Sequence, residues 1–107
     1  AEGKTVKWRF AEVPGEHDVM VRKVVANERI ELEFPAALGS ASSTAVEMVF
    51  KPIDKSNTMV QINESGWPSD AAGLEAAMGN AGGWMHMMCC LKARLEYDIN
   101  LRAGGAF

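Results

Sequence analysis

GGWMHMMCCLKARLEYDI, residues 82–99, places a tryptophan, a histidine, three methionines and two cysteines in positions 84–90. Wound as a helix, Trp84, Met87, Met88, Leu91, Leu95 and Ile99 gather on one broad stripe, while His86, Cys90, Ala93, Arg94 and Tyr97 lie around the opposite side. Cys89 falls on a flank with Lys92 and Glu96. The stripe predicts an amphipathic helix that buries its apolar side, with sulfur as adaptable filler rather than as chemistry.

Two chemical readings of the same stretch are weaker. His86 and Cys90 are four residues apart and can face one ion, but a closed zinc site takes four ligands, and the other histidine, His17, stands in a distant strand without a cysteine beside it. Thiol catalysis needs a lowered thiolate pKa, a base and a group that orients the base, and the third of these is not in evidence. No metal, no cofactor and no catalytic residue is therefore expected.

Upstream of this helix the pattern has period two. In KTVKWRFAEV (4–13), Val6, Trp8 and Phe10 alternate with Lys7 and Arg9, and Pro14-Gly15 then reads as a turn. HDVMVRKVV (17–25) is a second, irregular β-rich run with room for a bulge. Asn27, Glu28 and Arg29 turn the chain into IELEF, where Ile30, Leu32 and Phe34 alternate with Glu31 and Glu33 until Pro35. AALGSASS (36–43) reads as a mobile loop. STAVEMVFKPID sets Val46, Met48 and Phe50 opposite Glu47 and Lys51, DKSN (54–57) turns, and NTMVQINESGW sets Val60, Ile62 and Glu64 on one face. Beyond Trp67-Pro68, Ser69 or Asp70 caps a short helix over 70–78. Gly79, Gly82 and Gly83 should break it, with a longer second helix starting near Gly83. Five closely connected strands followed by a long helix make an α+β fold, an antiparallel sheet wrapped against the helix.

Composition narrows the function. A chain of 107 residues with 48% hydrophobic content suits a single domain spanning 1–107. A net charge of −3 offers no concentrated basic patch, so nucleic acid is not an expected partner. No apolar run is long enough to span a bilayer, and two adjacent cysteines do not form the spaced disulfide framework of a small secreted domain, so the cytoplasm is the expected location.

INESGW, a short helix and GGWMHMMCCLKARLEYDINLR together resemble the C-terminal signature of the START-like (SRPBCC) superfamily, in its bacterial branch related to the activator of the heat-shock protein ninety ATPase. The matching positions are Glu64, Gly66, Gly83, Trp84, Leu91, Lys92, Leu95 and Glu96, and GKTVKWRF, NERI and TAVEMVFKPID agree in order and spacing. The resemblance implies a helix-grip fold, a curved antiparallel sheet of about five strands packed on a long C-terminal helix. The N-terminal strand and two helices usual in the family lie before the point where this sequence starts. Either the sequence is a fragment or a second copy covers the open sheet edge, which would make a homodimer.

In that fold the space between sheet and helix can enclose an apolar ligand. The inward positions Trp8, Phe10, Leu32, Phe34, Met48, Phe50 and Ile62, facing Trp84, Met88 and Leu91, are then either cavity lining or filled core, and periodicity does not separate the two. Glu64 shares the side of Val60 and Ile62, where a bare carboxylate is costly. It reads as a polar anchor at the cavity mouth, or as a strand-end group reaching solvent, with His17 and Lys23 as possible companions on that face. Three functions follow: a module binding a small hydrophobic molecule, which is the preferred reading; a cochaperone-like domain with a chaperone partner; or a cyclase- or hydrolase-like enzyme using Glu64 as acid or base.

Overall fold

A computed structural model of the chain describes residues 1–10, 13–35 and 43–103. The five expected strands are present as β1 (Thr5–Phe10), β2 (Val13–Val25), β3 (Arg29–Pro35), β4 (Ser43–Pro52) and β5 (Thr58–Ser65), followed by one helix, α1 (Ala71–Tyr97). The strands form a single sheet in sequence order, β1-β2-β3-β4-β5, with the described pairings of β2 through β5 all antiparallel. This sequence of elements is α+β and of the helix-grip kind. The chain divides into two compact units, residues 1–8 with 16–67 and residues 9–15 with 68–107.

In the first unit, register puts the alternating residues where period two predicts. Ile30, Leu32 and Phe34 pair with Met48, Val46 and Thr44, and Met48, Val46 and Phe50 pair in turn with Ile62, Glu64 and Val60. Across the described residues of β3, β4 and β5, one face is thereby apolar apart from Thr44 and Glu64. Its most buried members are Val19, Val46, Leu32, Val21 and Phe34. The other face carries ion pairs: across strands, Lys7 with Glu16 and Asp18, Arg22 with Glu33, and Arg29 with Glu47; within β3, Arg29 with Glu31. Exposed pairs of this kind contribute little stability each, but they keep the wet face wet.

The bulge suspected in β2 is real. Val21 pairs with Leu32, yet Lys23 pairs with Glu31 and Val24 with Ile30, so Arg22 is an extra residue in the ladder. Lys23 is consequently turned to the charged face and does not accompany Glu64, contrary to the sequence expectation. Pro14 and Gly15 also depart from expectation. They lie inside β2 rather than in a turn, and Gly15 supplies the positive φ of 94° that the strand adopts there. Asn27 makes the turn into β3 with φ 63°, a conformation asparagine tolerates well. The loop expected at 36–43 lies outside the described residues up to Ser43, which opens β4.

The DKSN turn is tied by one carboxylate. Asp54 Oδ1 accepts hydrogen bonds from the backbone N–H groups of Ser56 and Asn57, both at 2.9 Å, and the Asn57 amide donates to both carboxylate oxygens. The Ser56 N–H first, and then the Asn57 side chain, favour the charged form and hold Asp54 below the usual carboxylate range. A depressed folded-state pKa means that this contribution is complete above the unfolded-state pKa and is lost as pH falls through the folded-state value. In an acid titration followed by NMR, the Ser56 and Asn57 amide signals should shift with a midpoint below that of an unstructured aspartate. A midpoint at or above the unstructured value would contradict the turn geometry.

The second unit holds the largest correction. The helix does not break at Gly79–Gly83 but runs unbroken for 27 residues. None of Gly79, Gly82 and Gly83 takes a positive φ, and the alanines at 71, 72, 76, 77 and 81 propagate the helix across them. Asp70 is the cap, as expected, its Oδ1 accepting from the Gly73 N–H at 2.7 Å. The C-terminus closes at Asp98 in the left-handed region, whose N–H reaches the carbonyls of Ala93 and Arg94.

The expected burial stripe also holds only in part. Trp84, Met87 and Met88 are half-buried, but Leu91, Leu95 and Ile99 are exposed, and Ala93 on the opposite side is buried. Along the N-terminal half the less exposed positions are Gly73, Ala77, Asn80, Trp84 and Met87, whereas further on they are His86, Cys90 and Ala93. The protected side shifts around the helix along its length, which a single wheel projection over 84–99 averages away.

Candidate functional site

The polar exception on the apolar sheet face is built by β3, β4 and β5. Thr44 sits opposite Phe34 and is 1% exposed, since the alternation that turns Val46 and Met48 inward turns Thr44 inward as well. A buried hydroxyl requires partners. Thr44 Oγ1 has the Phe34 carbonyl at 3.3 Å and the Glu64 carboxylate at closer range, so its proton is shared between two acceptors. Glu64, half-buried across from Val46 on β5, therefore presents a carboxylate oriented by a neighbour and not one simply reaching water.

Aromatic rings flank this pair. The Phe34 ring, on the residue paired with Thr44, stacks on the His17 imidazole at a centroid distance of 5.9 Å and an interplanar angle of 21°. Its edge meets Trp8 at 5.9 Å and 63°. Trp8, His17, Phe34, Thr44 and Glu64 thus form a connected row across one face: three rings, a hydroxyl and a carboxylate. Among the described residues no buried side-chain polar atom is left without a hydrogen-bond partner.

Of the residues expected at a ligand site, Leu32, Phe34, Met48, Phe50, Ile62 and Glu64 share this face by register, and Trp8 joins them through its ring contact. Leu32 and Phe34 are buried; Trp8, Met48, Phe50, Ile62 and Glu64 are half-buried. Phe10, half-buried on β1, belongs to the second unit, as do half-buried Trp84 and Met88 and exposed Leu91. His17 comes onto the face of Glu64, as the sequence allowed. Thr44 was missed, although parity with Val46 and Met48 was a usable signal; Val19 and Val21 were missed because the bulge disrupts the period of β2.

The chain belongs to a known family. The family model described as "Activator of Hsp90 ATPase homolog 1-like protein" matches residues 1–96, most of the chain, in agreement with the strand order and the long C-terminal helix. No curated protein and no solved structure matches the chain. Membership of the Hsp90 ATPase activator-like family fixes the START-like architecture, and chemistry must still be sought in individual residues.

The sulfur-rich segment of this family member was weighed for such chemistry. Cys90 Sγ lies 3.5 Å from His86 Nε2, both half-buried, so the pair four residues apart does meet. Cys89 is exposed, and both thiols are free. Among the described residues no three His, Cys, Asp or Glu side chains gather as a metal-ligand set. No described helix is long and apolar enough to cross a membrane.

Proposed function

We propose that this START-like domain binds a small, mostly hydrophobic molecule on the apolar face of its sheet, with Glu64 as the polar anchor. The observation that carries the reading is the Thr44–Glu64 hydrogen bond. A carboxylate held in a fixed orientation within an apolar field, beside the Trp8, Phe34 and His17 rings, is the combination that gives a ligand both affinity and orientation: apolar walls with a few placed polar groups. Leu32, Met48, Phe50 and Ile62 extend those walls. The carboxylate accepts hydrogen bonds, so the ligand is expected to carry a hydroxyl, an amine or another donor at one end.

The test is titration with a fluorescent hydrophobic probe bearing such a donor, together with mass spectrometry of small molecules carried through purification under non-denaturing conditions. Glu64→Gln and Thr44→Val should each weaken binding of a donor-bearing probe by about tenfold, the loss of one charge-assisted hydrogen bond. A matched probe without the donor should bind the variants and the parent alike. Equal affinity of the two probes for the unaltered protein would defeat the anchor assignment.

The family description supports a second reading, in which the domain docks on a heat-shock protein ninety chaperone. The charged ladder formed by Lys7, Asp18, Arg22, Glu33, Arg29 and Glu47 on the opposite face is the surface for such a partner. An unchanged chaperone ATPase rate at saturating domain concentration would reject it.

A further inference from the structure

Five side chains on five successive strands make the site: Trp8 on β1, His17 on β2, Phe34 on β3, Thr44 on β4 and Glu64 on β5. All five belong to the first unit. Three rings lie at one end, joined through Phe34, which stacks on His17 and meets Trp8 edge-on, each at 5.9 Å. The carboxylate lies at the other. Register pairs Glu64 with Val46, yet its carboxylate reaches diagonally to the Thr44 hydroxyl, so the charge stands over β4, next to the strand that bears Phe34. Neighbouring strands are roughly 4.8 Å apart, which sets the separation between the anion and the rings. Thr44 is 1% exposed, and its hydroxyl also contacts the Phe34 carbonyl at 3.3 Å, so the direction of the carboxylate is fixed relative to the rings.

We propose, resting on the reading of this face as a binding site, that its ligand is an amine: an aromatic body with a primary ammonium two carbons away. Both ends of the site favour the same charge. A ring face carries negative electrostatic potential and attracts a cation, most strongly for tryptophan. A carboxylate holds an ammonium through charge-assisted hydrogen bonds, about twice as strong as neutral ones. The donors match as well, since an ammonium offers three N–H groups where an alcohol offers a single O–H. Among the described residues, the lysines and arginines of β2, β3 and β4 do not repel such a ligand. Arg22 and Arg29 pair with carboxylates on the other face, the bulge turns Lys23 there, and Lys51, opposite Met59, alternates with Phe50 onto that face as well. An anion, by contrast, would meet the Glu64 carboxylate. The spacer follows from the strand spacing: two carbons carry the nitrogen over β4 when the aromatic body lies over Phe34 and Trp8.

Probes of one frame separate the ligand classes: phenylethylamine, phenylethanol, ethylbenzene and phenylpropionate, each titrated into the whole chain at neutral pH and followed by the Thr44 and Glu64 amide NMR signals. Phenylethylamine should bind about tenfold more tightly than phenylethanol, and phenylpropionate most weakly. Glu64→Gln should bring the amine and the alcohol to within about twofold of each other. The unaltered chain should also prefer phenylethylamine to cyclohexylethylamine by about threefold, and Trp8→Leu, shown to be folded by circular dichroism, should erase that preference. An amine that binds no more tightly than the alcohol, or a preference that survives Glu64→Gln, would overturn the amine assignment while leaving a hydrophobic site standing. Equal affinity for the phenyl and cyclohexyl amines would overturn the aromatic body. If no probe, ethylbenzene included, perturbs these signals, the binding-site reading itself fails and the amine with it.

Discussion

Replacing Gly73 with alanine should lower unfolding stability by about 2–3 kcal/mol, seen as an earlier urea midpoint with an unchanged slope. The position is buried in the first turn of α1, and an added Cβ would stand 2.0 Å from the Pro68 carbonyl oxygen, 2.7 Å from its carbon and 3.0 Å from Pro68 Cβ. All three are backbone or ring-fixed atoms that no rotamer change can move aside. The same turn carries the Asp70 cap on the Gly73 N–H, so a shift that relieves the clash also disturbs the cap. A neutral G73A variant would mean that Pro68 is not held against the helix.

The opposite sign is expected six to ten residues on. Gly79, Gly82 and Gly83 lie in the interior of the helix with no atom within 4 Å of an added Cβ. Alanine at each should gain about 0.8–1 kcal/mol, because glycine in a helix loses more backbone freedom on folding than alanine does. The triple variant should gain about 2–3 kcal/mol and melt roughly 10 °C higher. Loss of stability in that variant would show that something approaches this side of the helix closely. Run alongside G73A, it separates a glycine required by space from three that no described residue approaches.

These glycines also mark where sequence reading stopped. Propensity treats all four alike, and three in five residues outweighed the alanines around them in the expectation of a break. Whether a glycine ends a helix depends on its φ and its neighbours in space, neither of which the residue letter carries. β3 was legible for the opposite reason: Ile30, Leu32 and Phe34 alternate strictly with Glu31 and Glu33, and register with β4 preserves that alternation. Trp84 and Met88 were placed on a protected side correctly, while Leu91 and Leu95 were not, since the protected side rotates partway along the helix. Glu64 stands out in the sequence because a carboxylate at an inward position is costly and therefore conspicuous. Its hydroxyl partner was not conspicuous, because a threonine suits either face of a strand.

The extra residue in β2 has a further consequence for changes in chain length. Val19 and Val21 face one way before it and Val24 faces the same way after it, so the strand carries a phase slip of one unit at Arg22. Deleting Arg22 would restore strict two-residue alternation and leave every flanking side chain on its present side, at the expense of one exposed ion pair with Glu33. Deletion at Asp18 or Val19 would invert one arm of the strand relative to its neighbours. The sheet thus contains one address at which a codon can be lost without turning a strand inside out.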